Sequence, residues 1–317
     1  MLSTIEKRIP FAPQQISSDS LESQVGNTPL LRLRRTAVAH DIPDTIQLYA
    51  KAEWRNPSGS VKDRAALNII LTAEARGQLR PGMTLLDSTS GNMGIAYAML
   101  GAARGCHVRL TLPANASPER IAILKACGAE LIFTDPLEGS DGAILAARRL
   151  AADDPTLFYA NQYNNSANWQ AHYHTTGAEI WQQTYGRITH FVAGLGTGGT
   201  FTGTSRRLKT YNPAIQTIAM QPDGPFHGLE GLKYMETSIQ PGIYDPGMAN
   251  EQLTVRTEDA YQMARFLARQ EGLFVGISAA AAVTAVIQVA RQIDEGVIVT
   301  VLPDNGFKYL SEHFWEG

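Results

Sequence analysis

Lys62 stands in the run Asn56-Pro57-Ser58-Gly59-Ser60-Val61-Lys62-Asp63-Arg64, at the start of a helical pattern. A lysine that attacks a carbonyl must be unprotonated, and a helix N-terminus disfavours its cationic form. The plainer alternative is a solvated lysine paired with Asp63, the usual fate of a lone lysine. A second run, Gly194-Leu195-Gly196-Thr197-Gly198-Gly199-Thr200, follows the apolar Phe191-Val192-Ala193 and opens a helix. Its glycines let backbone N–H groups approach an anion, with the positive end of a helix behind them. Gly194, Gly196 and Gly199 also satisfy G-x-G-x-x-G, the fingerprint of an NAD(P)-dependent oxidoreductase. Only Asp223, in a Pro-Asp-Gly turn, meets that motif's need for a ribose-binding acid. A turn built for packing alone is the third reading. Thr197 and Thr200 add hydroxyl donors that suit a single phosphate monoester. A loop lysine combined with such a phosphate cup describes pyridoxal 5'-phosphate, held covalently at its aldehyde and anchored by its phosphate.

These loops need strands and helices to hold them. Short β-branched runs at 47–53, 84–88, 107–112, 130–134, 156–160, 190–195, 217–221 and 297–302 predict strands. Between them apolar residues recur at helical spacing, as in Ala65, Leu67, Ile70, Leu71 and Ala75. Ser117 ahead of Pro118 predicts a helix start, and Gly128 its stop. Alternating strands and helices imply an α/β fold with a mostly parallel sheet, whose ligands sit at the carboxyl ends of the strands. Residues 1–25 read as a polar arm and 222–250 as a long loop.

Composition narrows the class. The chain has 317 residues and 27 Lys+Arg against 30 Asp+Glu, net charge -3, with no basic cluster for nucleic acid. Its two cysteines, Cys106 and Cys127, cannot build a disulfide framework, and buried structural thiols are expected. His172 and His174, two apart on a helix, make a poor metal pair, so no metal is expected and packing or solvent roles are read for them. The N-terminus lacks a signal-peptide stretch, and the apolar segment 277–290 is short for a membrane span and interrupted by Ser278, Thr284 and Gln288. A cytoplasmic enzyme is expected, with no membrane or nucleic-acid partner.

Taken in order, the motifs resemble the cysteine synthase family, the β-substituting branch of the fold-type II pyridoxal-phosphate enzymes. The likeness runs from Gly26-Asn27-Thr28-Pro29-Leu30 to Pro303-Asp304-Asn305-Gly306-Phe307-Lys308-Tyr309. It implies two three-layer α/β/α domains with mostly parallel twisted sheets. Residues 1–55 and 166–317 would form the larger, phosphate-binding domain, and 56–165 a smaller mobile substrate-binding one. The catalytic core fills the length, with no room for a regulatory extension. By the same resemblance Lys62 carries the cofactor as a Schiff base and later acts as base on Cα–H. Asn92 bonds the cofactor's ring hydroxyl, Gly196, Thr197, Gly198, Gly199 and Thr200 form the phosphate cup, and Ser278 contacts the pyridine nitrogen. Thr89, Ser90, Gly91, Met93 and Gln162 surround the substrate carboxylate. The implied reaction replaces the β-substituent of O-acetyl-L-serine or O-phospho-L-serine through α-aminoacrylate, with sulfide giving L-cysteine. A homodimer is implied, and a sulfur-carrier protein is a further candidate partner.

Two departures widen the choice. Met93 stands where the family pattern Thr-Ser-Gly-Asn-Thr-Gly has a threonine, and relatives that join O-phosphoserine to an amine, giving 2,3-diaminopropionate-type products, also carry a larger apolar residue there. The segment 161–174 resembles those relatives too, whereas 191–200 and Tyr244-Asp245-Pro246 resemble the sulfhydrylases. The second departure, Ala279-Ala280-Ala281 after Ser278, has no functional account from sequence. A phosphoserine user needs a cation at the leaving group. The loop from Pro222 to Met235 offers His227 and Lys233 but no arginine, which favours O-acetylserine, with Arg64 and Arg120 as further candidates. A serine or threonine dehydratase is a more distant alternative.

Overall fold

The computed structural model describes residues 16–89 and 91–316. Ser90, expected in the substrate loop, lies outside the described residues. Along them run β1 (Leu30–Arg32), β2 (Ile46–Ala52), β3 (Thr84–Ser88), β4 (His107–Pro113), β5 (Glu130–Thr134), β6 (Leu157–Tyr159), β7 (His190–Gly194), β8 (Gln216–Pro222), β9 (Glu251–Val255) and β10 (Gly296–Leu302). The helices are α1 (Arg34–Ala39), α2 (Lys62–Ala75), α3 (Asn92–Arg104), α4 (Pro118–Ala126), α5 (Gly139–Asp153), α6 (Ser166–His174), α7 (Thr176–Gln183), α8 (Gly199–Tyr211), α9 (Thr257–Phe266) and α10 (Ile277–Ala290).

The strands form a six-stranded sheet of order β1-β2-β10-β7-β8-β9 and a four-stranded sheet of order β5-β4-β3-β6. Every pairing is parallel except β1 on β2. In the larger sheet Val299 of β10 lies between Tyr49 of β2 and Phe191 of β7. Phe191, Val192 and Ala193 are all buried, as expected of a central parallel strand covered on both faces. One apolar cluster joins α9 and α10 to this sheet, and a second joins α2, α3 and α4 to β3 and β4.

All eight expected strands appear within one residue of their ends. Two more were not expected. β1 is only three residues long, and β9, Glu-Gln-Leu-Thr-Val, is a mostly exposed edge strand whose polar residues hide its pairing with β8. The polar-arm reading also changes from residue 21 on. Leu21–Gln24 form a 3-10 turn, and the buried Glu22 pairs with Arg104 of α3. Ser117 caps α4 as expected, accepting from Arg120 N, and the left-handed Gly128 follows that helix. The loop between β8 and β9 contains a single 3-10 turn, Pro246–Met248. Cys106 and Cys127 are free and half-buried rather than buried. Among the described residues no helix is long and apolar enough to cross a membrane.

Candidate active site

Lys62 is the first residue of α2, and it opens onto a cavity of ≈ 720 Å³ between the two sheets. Burial lowers its pKa, and the Asp304 carboxylate partly opposes that shift. The alternative pairing with Asp63 does not occur. Asp63 accepts instead from Ser58 N at 3.1 Å and Ser58 Oγ at 2.6 Å, which ties the loop ahead of the lysine to its own helix. The lysine amine is thus desolvated and left for chemistry.

Asn92 heads α3 and lines the same cavity. Its Nδ2 donates to Asp304 Oδ2 at 2.7 Å, and its Oδ1 accepts from Lys308 Nζ at 2.7 Å. Lys308 Nζ also donates to Ser58 O and Gly59 O, so one buried ammonium joins the lysine loop to the asparagine loop. Asp304 accepts in addition from Tyr309 Oη at 2.8 Å. Asp304 thus orients the hydrogen bonds of the site. Helix capping falls to Asn305, whose Oδ1 accepts from Phe307 N. With one Nδ2 hydrogen spent on Asp304, the other is aimed by a fixed amide. Asp304→Ala is expected to free that amide and to weaken cofactor binding about tenfold, measured by titrating the cofactor into resolved protein.

The glycine loop joins β7 to α8. A Cβ at Gly196 would lie 2.5 Å from Gly231 O, and one at Gly199 would lie 2.0 Å from Asn168 Oδ1. Gly198 has φ +80°, which only glycine adopts freely. The first turn of α8 has backbone N–H groups with no intrahelical acceptor, and Gly196, Thr197, Gly198 and Thr200 line the cavity. An anion such as a phosphate monoester fits this cradle. Ser278, in the first turn of α10, reaches the same cavity, so α2, α3, α8 and α10 all begin at its wall.

The expected substrate loop is partly rebuilt by the structure. Thr89 Oγ1 accepts from Gly91 N at 2.9 Å and Gly94 N at 3.1 Å, which leaves its own proton free to donate. Gly91 has φ +151° and lies against Arg120, whose Cδ would be 2.4 Å from a Cβ there. Gln162 is buried and donates from Nε2 to Ser88 O at 2.6 Å. Met93 is also buried on the cavity wall, with 2% exposed.

Four basic residues bear on the choice of leaving group. Arg64 points away from the cavity into a buried network with Glu53, Glu179 and Thr28, which corrects its candidacy. Arg120 pairs with Glu230, and Lys233 with Asp141 at 2.7 Å, so both are engaged at the cavity wall. Burial keeps the pKa of His227 below its usual value. Sequence reading assigned no role to Asn168, Lys308, Asp141 or Glu230. The usable signal was Asn168 four residues before His172, one helical turn on a face toward the cup.

A model of the pyridoxal-phosphate dependent enzymes matches residues 21–304. The chain belongs to that family. Its cofactor is pyridoxal phosphate, and the cup, the uncommitted lysine and the cavity fit one. The dinucleotide reading falls, and Asp223, its one acid, is exposed beyond the end of β8. This pyridoxal-phosphate enzyme is 54% identical over 304 residues to a cysteine synthase of Aquifex aeolicus, covering 94% of this chain and 93% of that one. It is 41% identical over 305 residues to cysteine synthase B of Escherichia coli, covering 94% and 98%. Among solved structures it is similar to O-ureido-L-serine synthase, at 37% identity with TM-score 0.87, covering 94% and 95%. It is also similar to cysteine synthase from Entamoeba histolytica, at 33% identity with TM-score 0.89, covering 100% and 94%.

Proposed function

We propose that this enzyme is a cysteine synthase: it replaces the β-substituent of an O-activated L-serine by sulfide and releases L-cysteine. The observation that carries the reading is the meeting of Lys62, the Asn92 loop, the glycine cup and Ser278 on one cavity, in a chain 54% identical to a cysteine synthase. Pyridoxal phosphate, when bound, supplies an electrophilic carbon for the substrate amine and an electron sink for the bond broken at Cα. Lys62 would hold it, the cup from Gly196 to Thr200 would take its phosphate, Asn92 its ring hydroxyl and Ser278 its ring nitrogen. A neutral hydroxyl at that nitrogen does not keep it protonated, which favours prompt loss of the β-substituent over other fates of the Cα–H electrons. Lys62 Nζ, desolvated by burial, takes the Cα proton. Thr89 Oγ, the first-turn N–H groups of α3 and the Gln162 amide bind the substrate carboxylate. Ser90, whose role rests on resemblance, joins them.

The donor we favour is O-acetyl-L-serine. A phosphate leaving group carries about two negative charges and needs charge-assisted donors. Arg120 and Lys233 already answer Glu230 and Asp141. The purified enzyme should show a visible-edge absorbance that O-acetyl-L-serine shifts more strongly than O-phospho-L-serine at equal concentration. No shift with either sinks the proposal, and a stronger shift with phosphoserine reverses the choice of donor. Met93 supports a second reading, an amine nucleophile giving a diaminopropionate-type product. Mass spectrometry of products formed with sulfide and amino acids in competition separates the two.

Residues 56–165 would move as a smaller domain against 1–55 and 166–317. Arg120 and Asp141 reach the loop between β8 and β9 from the smaller side, and Ile239 N donates to Asp141 Oδ2 at 2.8 Å. By resemblance we assign the enzyme to the cytoplasm as a homodimer, with a sulfur-carrier protein as a candidate donor.

A further inference from the structure

We infer that His172 is a positioning residue: it carries its proton on Nε2 and thereby makes the Thr200 hydroxyl a donor aimed into the anion cup. The inference rests on the reading of that cup given above. His172 lies on α6, buried, with Nδ1 2.9 Å from Thr176 Oγ1 and Nε2 3.3 Å from Thr200 Oγ1. Thr176 is wholly buried, and this imidazole is the one hydrogen-bond partner of its hydroxyl among the described residues.

Counting protons decides the tautomer. A proton on Nδ1 would make Thr176 Oγ1 an acceptor and strand its own hydrogen in a dry interior, at a cost of about 1–3 kcal/mol. Thr176 therefore donates to Nδ1. The remaining proton of a neutral ring must sit on Nε2, where it donates to Thr200 Oγ1. Thr200 then has its own hydrogen left, and the open side of Thr200 is the cavity. In the opposite tautomer Thr200 would spend that hydrogen on Nε2 and turn lone pairs toward an anion. Burial holds the ring neutral, with a pKa near 3, while Arg64 and Lys62 also lower it and Glu53 and Glu179 oppose them.

The same device recurs one turn earlier. Asn168 Nδ2, a donor by its chemistry, gives to Thr197 Oγ1 at 3.2 Å, and Gly199 N gives to the same oxygen at 3.3 Å. Both threonines of the cup thus receive a hydrogen bond from α6 and keep a proton to offer. Asn168 and His172 are four apart and share a face of α6. Gly203 lets that face come close, since a Cβ there would lie 2.0 Å from Trp169 O and 2.8 Å from His172 Cβ.

Long-range 1H–15N spectra of the histidine-labelled protein, resolved of cofactor and then loaded with pyridoxal phosphate, should both show His172 protonated on Nε2. A proton on Nδ1 overturns the inference, and this measurement needs no variant. Titration of pyridoxal phosphate into resolved protein gives the second readout. Thr176→Val should raise the apparent Kd about tenfold, and Thr176→Ser should restore it to within about twofold. Thr176→Val in a Thr200→Val background should add nothing, because the effect passes through Thr200. Additive losses would show a merely structural role and overturn the proposal. A wild-type protein that binds no pyridoxal phosphate would defeat the proposed function, while the tautomer would still be decided by the spectra.

Discussion

Lys62→Ala should lower kcat/KM for L-cysteine formation by about 10³-fold or more, the range expected when a positioned acid–base group is removed. The same variant should lose the absorbance band of lysine-bound cofactor while still binding pyridoxal phosphate through the cup, because on the proposed reading Lys62 and the α8 loop would hold different ends of the molecule. Stopped-flow absorbance and a cysteine assay on wild type and variant measure both. Retained turnover would remove Lys62 from the reaction. Far-ultraviolet circular dichroism should be unchanged, since no carboxylate among the described residues pairs with the Lys62 amine and α2 is held by other bonds.

Arg64→Ala should be the most destabilising single change near the site. Arg64 bonds Glu53 at 2.7 Å and Glu179 at 2.6 Å, and Lys51 reaches Glu179 at 2.7 Å. Removing the guanidinium leaves two carboxylates buried with one lysine, a loss of about 3–5 kcal/mol. Urea denaturation monitored by tryptophan fluorescence reads it directly. The network also sets an acid limit. Burial raises the pKa of Glu179, but Arg64 and Lys51 outweigh it and hold the group near 2. Its folded pKa lies below its unfolded value, so its contribution is present above the ordinary carboxylate range and is lost as pH falls toward 2. Glu179→Gln should therefore flatten the fall in stability across that window. An unchanged slope would show that Glu179 adds little to acid sensitivity.

The chemistry-bearing loops were legible because each pairs an unusual composition with a strand end. Lys62 and the glycine cup could be placed around one ligand from their own residues, while Asn92 and Ser278 took their places from the family resemblance. Their supports were not. Asp304 and Lys308 reach Asn92 across more than two hundred residues of chain, and no local pattern announces such a partner. His172 was weighed against His174, two residues on, when its useful neighbour was Asn168, four residues back. Arg64 stood beside Lys62 in sequence, yet successive helical residues point in different directions, and Arg64 turns into the ion network. The edge strand β9 escaped notice because one ladder of hydrogen bonds suffices for a polar strand.

The alanine run after Ser278 can be understood as a steric fit. Ala279, Ala280 and Ala281 are fully buried, in a helix packed against α9 and β10. Side chains this small fill the space where α10 meets α9 and β10 without overpacking it, directly after the Ser278 hydroxyl. A bulkier residue there would cost about 1–3 kcal/mol in overpacking. At these positions the departure from the family pattern is a run of methyl groups sealed into the interior, directly after the serine proposed to meet the ring nitrogen.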